Sequence, residues 1–285
     1  MIVPLANLSN CLMAGAAGDC IGGPMEGAVS ERFRLPTPTW NISDDMVLSL
    51  ATAKALLATR TVDPAAIAAG FVQVFSQGGI PGLGASTLKA LRDLKDGVHW
   101  ALAGRRGERA AGNGAAMRIA PLGFFLDVSD VSSRRTIRDV CRITHHNDEA
   151  YVAALAVLLA MQMPQGGSLT SLAATLPDTR VRDVLLQLAA LPHGATSEQA
   201  ALLSGTSGYA PESVPLALYL AFTATSVEEG IIAAVECGGD TDTIASMVGQ
   251  ILGARGLSPP REWSAQVPCR AEISELCASS IDSNR

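Results

Sequence analysis

Apolar residues recur at helical spacing along most of the chain. One run covers residues 5–23, and a second follows Ser43 from Met46 to about Thr59. The same spacing predicts further helices over residues 64–75, 88–94, 151–163, 216–223 and 244–254.

Composition also favours helices. Of the 285 residues, 48% are hydrophobic and 4% are aromatic, while alanine and leucine recur throughout. Such a chain is more typical of close-packed helices than of a β sandwich. Because no Pro-rich or Gly-rich linker divides it, we predict a single compact all-α domain over residues 1–277, followed by a disordered tail over residues 278–285.

The formal net charge of -6 argues against a nucleic-acid partner, which would need a clustered basic surface. The arginines at 105, 106 and 109 are therefore interpreted as part of a solvated face. The N-terminus lacks the pattern of a cleaved signal, and no uninterrupted apolar stretch reaches about eighteen residues. We expect a cytoplasmic monomer without a membrane partner, although secretion without a cleaved signal stays open.

Two short acidic segments each precede a helical pattern. Residues 237–243 read CGGDTDT, and residues 43–45 read SDD. Carboxylates and hydroxyls are the hard oxygen ligands that divalent cations prefer, and four carboxylates at two helix starts could hold two metal ions. The alternative is helix capping, which favours the same residue types. Two features favour the metal interpretation. Paired like charges are tolerated most easily when a cation neutralises them. The two glycines allow the backbone to fold tightly around an ion. The four carboxylates are Asp44, Asp45, Asp240 and Asp242.

Two glycine-rich segments suit phosphate or sugar groups. Residues 78–87 offer flexible backbone before a helix, although such loops are common. Residues 112–123 read GNGAAMRIAPLG and combine backbone donors, the Asn113 amide and the Arg118 cation, which suits a diphosphate and sugar hydroxyls. Pairing of Arg118 with a core carboxylate is the alternative.

Four further polar residues have more than one interpretation. Asp19 suits a buried hydrogen-bonding role, whereas Glu26, after a proline turn, suits a mobile loop. For His145 we favour hydrogen bonding or capping over zinc, because no third ligand lies at a suitable spacing. Tyr209 either faces a cleft or fills a groove.

Residues 34–40 are predicted to form a loop because they contain prolines.

Taken in order, six segments of this chain resemble the ADP-ribosylglycohydrolase family, which includes the dinitrogenase reductase-activating glycohydrolase and the ADP-ribosylarginine hydrolases. They are GAAGDCIGGPMEG, SDD, GNGAAMRIAPLG, THHNDEA, GYAPESVPLAL and CGGDTDTIAS, and the match runs from about residue 8 to residue 263. The resemblance implies a compact all-α domain with two Mg²⁺ or Mn²⁺ ions at the floor of a central cleft. The ligands implied by it are Ser43, Asp44, Asp45, Asp240, Asp242 and Thr243.

The resemblance also implies contacts to ADP-ribose. Glu26 matches the acidic residue of the family's mobile loop, and the glycine-rich loop adds Gly84 and Ser86 as phosphate contacts. This chain has Met46 where the family's Thr-Asp-Asp-Thr motif ends in threonine. The change removes a hydroxyl, and its effect on the properties of the metal site is left open. The remaining residues implied to surround ADP-ribose are Asn113, Gly114, Met117, His145 and Tyr209.

The implied activity is metal-dependent release of ADP-ribose from a modified protein side chain, with the N-glycosidic bond to arginine as the first choice. Serine-linked or O-acetyl ADP-ribose, or binding of ADP-ribose without catalysis, are the alternatives. A generic metal-dependent phosphohydrolase is a further alternative. Such enzymes usually include histidines among their metal ligands, and this chain has only four histidines, none at a convincing spacing from the acidic pairs. The catalytic residues in this hypothesis are Glu26, Asp44, Asp45 and Asp242.

Overall fold

The computed structural model describes residues 2–27, 40–164 and 166–282. Helices dominate these residues, so the predicted all-α fold is confirmed. Two strands, β1 (Arg105–Arg106) and β2 (His145–His146), form a small parallel pair. The α-helices of the described residues are α1 (Leu8–Gly22), α2 (Asp44–Thr59), α3 (Pro64–Ser76), α4 (Ala85–Lys95), α5 (Val131–Arg142), α6 (Asp148–Gln162), α7 (Leu169–Ala173), α8 (Arg180–Ala189), α9 (Ser197–Ser204), α10 (Ala210–Thr223), α11 (Val227–Glu236), α12 (Thr241–Ala254), α13 (Arg261–Gln266) and α14 (Arg270–Asp282).

Several helices extend beyond their predicted bounds, and others lie where none was predicted. Helix α4 begins at Ala85, before the predicted start at residue 88, and α10 begins at Ala210 and continues through the buried Pro215. Helix α14 reaches Asp282 and so includes residues 278–282 of the segment predicted to be a disordered tail. Packing of α14 against α1 and α2, with Ile273 fully buried, supplies contacts that the polar sequence did not reveal. Residues 283–285, and the predicted loop up to residue 39, lie outside the described residues.

Helices α1 and α12 form the centre of the fold and pack together along most of their length. They run antiparallel, because Gly253 lies against Asn10 near the start of α1, whereas Gly22 lies against Thr241 near its end. A Cβ placed at Gly22 would lie 2.4 Å from the Thr241 carbonyl oxygen. The glycines therefore allow backbone-to-backbone contact, and this contact sets the end of α1 beside the start of α12.

Helix α1 also positions α2 through a buried carboxylate. Asp19 is 1% exposed, and its Oδ2 accepts hydrogen bonds from the backbone N–H groups of Ser43, at 2.9 Å, and Met46, at 3.3 Å. These donors belong to the first turn of α2, where helix N–H groups lack partners within the helix. Asp19 thus has the buried hydrogen-bonding role predicted for it. One helix consequently fixes the starts of both α2 and α12.

Candidate functional site

The starts of α2 and α12 meet at a buried aspartate. Thr243 Oγ1 donates a hydrogen bond to Asp45 Oδ2 at 3.1 Å, and Ser43 Oγ donates to the same oxygen at 3.2 Å. Ser43 Oγ also accepts from the Asp45 backbone N–H and so caps α2, as predicted. Asp45 is 1% exposed. The two acidic segments, remote in the sequence, therefore share one site.

A second group of carboxylates lies where α1 ends and α12 begins. Oxygen atoms of Glu26, Asp240 and Asp242 all lie within 4.8 Å of one another. The turn before α12 uses two left-handed glycines, Gly238 at φ 71° and Gly239 at φ 79°. Other residues adopt such φ values at a cost, which explains the glycine pair in the CGGDTDT segment.

Burial and mutual repulsion make these carboxylates hard to ionise. Burial, followed by the charge of Asp242, raises the pKa of Asp44 to about 7. Burial, followed by the charge of Asp240, raises the pKa of Asp242 to about 6. The pKa of Asp45 is raised well above its ordinary value by burial and by Asp19. A nearby positive charge would lower these pKa values and let the carboxylates ionise together at neutral pH.

The donor set fits a divalent cation. Within residues 2–27, 40–164 and 166–282, no lysine or arginine nitrogen lies within 4.0 Å of these carboxylates. Asp45 Oδ1 is buried without a hydrogen-bond partner, which is costly for a group that ordinarily ionises. Hard oxygen atoms, an excess of negative charge and an orphaned carboxylate oxygen are features of a site for a hard divalent cation. The exact ligand set stays a prediction.

A cleft of about 680 Å³ opens onto the acidic residues. Asp44, Asp240 and Thr243 line its acidic end, and the exposed Glu26 lies beside them. Ser43, Asp45 and Asp242, by contrast, do not line the cleft. The predicted ADP-ribose contacts that line it are Gly84, Ser86, Asn113, Gly114, Met117 and His145.

Tyr209, the remaining predicted ADP-ribose contact, does not line this cleft. Its ring lies 5.8 Å from the guanidinium carbon of Arg180. Its backbone pairs with that of Gly112 in an isolated antiparallel bridge. The backbone of Tyr209 therefore holds the start of the glycine-rich segment in place.

Asn113 ties that glycine-rich segment to the acidic site. Its Nδ2 donates to Asp240 Oδ2 at 2.6 Å and to Ser213 Oγ at 3.0 Å. The side-chain amide thus orients Asp240 while the backbone of the same segment lines the cleft. This explains why an asparagine stands between the two glycines of the segment.

Arg118 does not reach the cleft, and the prediction that it offers a cation there is wrong. It is 1% exposed, donates to the Gly114 carbonyl oxygen and to Thr144 Oγ1, and stacks on Phe71 at 5.1 Å. Nor does it form an ion pair with a core carboxylate in the described part of the chain. Because its charge is directed into the core, Arg118 stabilises the loop at Gly114 instead.

The cations that line the cleft are Arg105 and Arg109, which the sequence placed on a solvated face. Arg105 belongs to β1, and β1 reaches the cleft because it pairs with β2 at His145. Gly104, at φ 83°, permits the close approach, since a Cβ there would lie 2.5 Å from the Thr144 carbonyl oxygen. A pair of two-residue strands carries no clear sequence signal.

Met46 does not line the cleft. It is fully buried in the core, and its Sδ would lie 3.2 Å from a Cβ at Gly15 on α1. The side chain that replaces the family's threonine therefore packs between α2 and α1. Its backbone N–H still binds Asp19.

This helical fold, with an acidic cleft at two helix starts, is the architecture that the sequence motifs implied. The chain belongs to the ADP-ribosylglycohydrolase family, whose sequence profile matches residues 4–284. Family membership identifies it as an enzyme that hydrolyses ADP-ribosyl bonds.

Individual relatives cover nearly the whole chain. An uncharacterized protein of Archaeoglobus fulgidus is 31% identical over 94% of this chain and 93% of its own. The ADP-ribosylarginine hydrolase Tri1 of Pseudomonas putida is 25% identical over 98% of this chain and 78% of its own. Human ADP-ribosylhydrolase ARH3 is 27% identical over 97% of this chain and 93% of its own.

Among solved structures, an ADP-ribosylglycohydrolase-related protein complex matches with a TM-score of 0.75 and 25% identity, over 97% of both chains. The described helices include none that is both long and apolar enough to cross a membrane.

Proposed function

We propose that this chain removes ADP-ribose from modified arginine side chains of proteins, with two Mg²⁺ or Mn²⁺ ions bound between α2 and α12. The observation that carries the proposal is the meeting of two buried acidic segments at one end of a cleft that is also lined by glycine backbone, Asn113 and two arginines. The name of Tri1, an ADP-ribosylarginine hydrolase, supports arginine as the acceptor.

The charge of the acidic site supports the proposal of two ions. Four aspartates approach one another at the helix starts, and two divalent cations would balance their four negative charges. When bound, the ions would polarise the ribose hydroxyls and the attacking water. The proposed ligands are Ser43, Asp44, Asp45, Asp240, Asp242 and Thr243.

The reaction adds water across the bond between the ribose C1 and the guanidinium nitrogen. The C1–N bond breaks, the hydroxyl of the water joins C1, and a proton goes to the departing nitrogen. We assign this proton transfer to Glu26, which is exposed at the edge of the cleft. The charge of Asp242, followed by partial burial, raises the pKa of Glu26, and this suits a group that both accepts and donates a proton.

Other residues of the chain orient the substrate. Asn113 holds Asp240, and the backbone of residues 112–114 lies along the cleft. Arg105 and Arg109 supply positive charge for the diphosphate, because they are the arginines among the described residues that line this cleft. An arginine acceptor suits the acidic end, since Glu26 would lie near the cationic guanidinium.

The test is a turnover assay with ADP-ribosylarginine, ADP-ribosylserine and O-acetyl ADP-ribose, each with Mg²⁺ or Mn²⁺ and with a chelator. We expect release of ADP-ribose from the arginine substrate, loss of activity with the chelator, and a loss of at least about a hundredfold in Asp242→Ala. Glu228→Ala, an exposed acid on α11, is the control and should keep full activity.

Each alternative has its own outcome. Faster turnover of a serine-linked or O-acetyl substrate would replace arginine as the acceptor while leaving the site in place. Tight binding of ADP-ribose without turnover of any substrate would contradict catalysis. Equal activity of the wild type and Asp242→Ala would contradict the assignment of the metal site.

A further inference from the structure

His145 lies at the end of a buried chain of hydrogen bonds. Arg118 Nη2 donates to Thr144 Oγ1 at 2.8 Å, and Thr144 Oγ1 lies 2.7 Å from His145 Nδ1. Arg118, Thr144 and His145 are 1%, 0% and 3% exposed. Solvent therefore does not compete for these three hydrogen-bonding groups. The geometry of the hydrogen bonds decides which atom carries each proton.

The direction of each hydrogen bond follows from the chemistry of the groups. A guanidinium has donors and no acceptor, so Thr144 Oγ1 must accept from Arg118. The hydroxyl hydrogen of Thr144 then needs an acceptor of its own. Among the described residues, the acceptor within hydrogen-bond distance of Thr144 Oγ1 is His145 Nδ1. The arrangement that satisfies the hydroxyl hydrogen has an unprotonated His145 Nδ1 as its acceptor, and a neutral imidazole then carries its proton on Nε2.

The imidazole ring is held against two glycines that line the cleft. A Cβ at Gly114 would lie 2.9 Å from His145 Cε1, and a Cβ at Gly112 would lie 3.3 Å from His145 Nε2. The ring fits because neither residue has a side chain. His145 itself lines the cleft, so its Nε2 side is placed beside the backbone that borders the ligand space.

We infer that Arg118 and Thr144 are positioning residues that fix His145 as a neutral hydrogen-bond donor, with its Nε2–H available to an oxygen atom of the bound ADP-ribose. This inference rests on the proposed function for the identity of the ligand, but its account of the His145 tautomer does not. It also gives Arg118 a second role besides holding the loop at Gly114. The arginine acts on the ligand through two other side chains.

Electrostatics agree with this geometry. Burial, followed by the charges of Arg118 and Arg105, lowers the pKa of His145 to about 3. The ring therefore stays neutral at physiological pH, so the group offered to the ligand is a single N–H. The chemical class of its partner is an acceptor oxygen, either of the diphosphate or of a ribose hydroxyl.

Nitrogen-15 NMR of the histidine side chains tests the tautomer without substrate. At neutral pH we expect His145 to show a protonated Nε2 and an unprotonated Nδ1, with the Nδ1 resonance displaced by the hydrogen bond from Thr144. The variant His145→Gln assigns the signal. Thr144→Val should remove the displacement of the Nδ1 resonance, while Thr144→Ser, which keeps the hydroxyl, should retain it.

Calorimetry with ADP-ribose then tests the consequence for the ligand. Thr144→Val should weaken binding by about three- to tenfold, the range expected for one neutral hydrogen bond, and Thr144→Ser should restore it. A proton on Nδ1, or on both nitrogens at neutral pH, in the wild type would overturn the inference, even if Thr144→Val fails to fold. Unchanged affinity in a folded Thr144→Val would also overturn it. If ADP-ribose does not bind the wild type at all, the proposed function fails, and with it the role of His145 toward the ligand.

Discussion

Thr243 and Asp45 are separated by 198 positions in the sequence, yet the Thr243 hydroxyl donates to the Asp45 carboxylate at 3.1 Å. This hydrogen bond joins the first turns of α12 and α2 inside the acidic site. Replacing Thr243 by valine keeps its shape and removes both the hydrogen bond and a proposed ligand. We expect the affinity for Mn²⁺, measured by calorimetry, to fall by about tenfold or more. Thr243→Ser should bind Mn²⁺ nearly as the wild type does, and equal affinity in Thr243→Val would exclude the hydroxyl from the ligand set.

Asp45→Asn should separate the stability of the protein from its metal binding. Asp45 is buried among like charges, and its Oδ1 has no partner. A neutral amide relieves this repulsion, so the metal-free variant should gain about 1 to 3 kcal/mol in unfolding free energy at pH 7.5. The same variant should lose the stabilisation that Mg²⁺ gives the wild type. Urea denaturation with and without Mg²⁺ measures both effects, with the exposed Asp96→Asn as control. A metal-free Asp45→Asn that is less stable than the wild type would contradict the prediction.

The stability of the metal-free protein should fall as the pH rises from about 4 to about 7. Burial raises the folded-state pKa of Asp19 and of Asp44 to about 7, and that of Asp242 to about 6, whereas unfolded aspartates have a pKa of about 3.9. In this pH window the folded state binds more protons than the unfolded state. Its unfolding free energy is therefore lost as the pH rises.

The measurement is urea denaturation at several pH values after removal of metal ions. Saturating Mg²⁺ should flatten the dependence, because bound cations favour the ionised carboxylates. Stability of the metal-free protein that increases with pH over this range would show that the carboxylates are not held at raised pKa values.

Gly22→Ala should disturb the contact between α1 and α12, whereas Gly23→Ala should not. A Cβ at Gly22 would lie 2.4 Å from the Thr241 carbonyl oxygen and 2.5 Å from the Asp242 Cα atom, but a Cβ at Gly23 meets nothing within 4 Å. We expect Gly22→Ala to lose about 3 kcal/mol or more in unfolding free energy and to bind Mn²⁺ more weakly. Thermal denaturation and calorimetry compare the two variants. Similar behaviour of both would mean that the close approach is not required.

Arg105→Ala and Arg109→Ala should each weaken the binding of ADP-ribose by about tenfold, provided that these side chains bind its diphosphate. Arg106→Ala is a matched control, because Arg106 lines a separate cavity on the other side of His145. The affinity of the wild type should also decrease with added salt more steeply than that of Arg105→Ala. An equal loss of affinity in Arg106→Ala would indicate a general effect of charge.

The sequence predicted the fold and the acidic site because both depend on local patterns. Apolar residues at helical spacing define α2 and α12, and acidic residues at helix starts are visible without coordinates. The juxtaposition of Asp45 and Thr243 was expected from the family resemblance. Which of these residues bind metal stays a prediction.

The direction of the arginines was not predictable, because it depends on contacts between remote segments. Arg118 turns inward toward Thr144, a residue 26 positions away. Arg105 turns toward the cleft because β1 pairs with β2. Charge and spacing in the sequence are equally compatible with the opposite arrangement, in which Arg118 is at the ligand and Arg105 is in solvent.

The antiparallel contact between α1 and α12 also has a consequence for biosynthesis. The ribosome completes α1 long before it completes α12, so an emerging chain holds Asp19 and Asp45 without the segment that joins them to Asp242. Cation binding that needs both acidic segments, as proposed here, would therefore wait until most of the polypeptide has been translated. The acidic site would then be complete only after α12 has docked against α1.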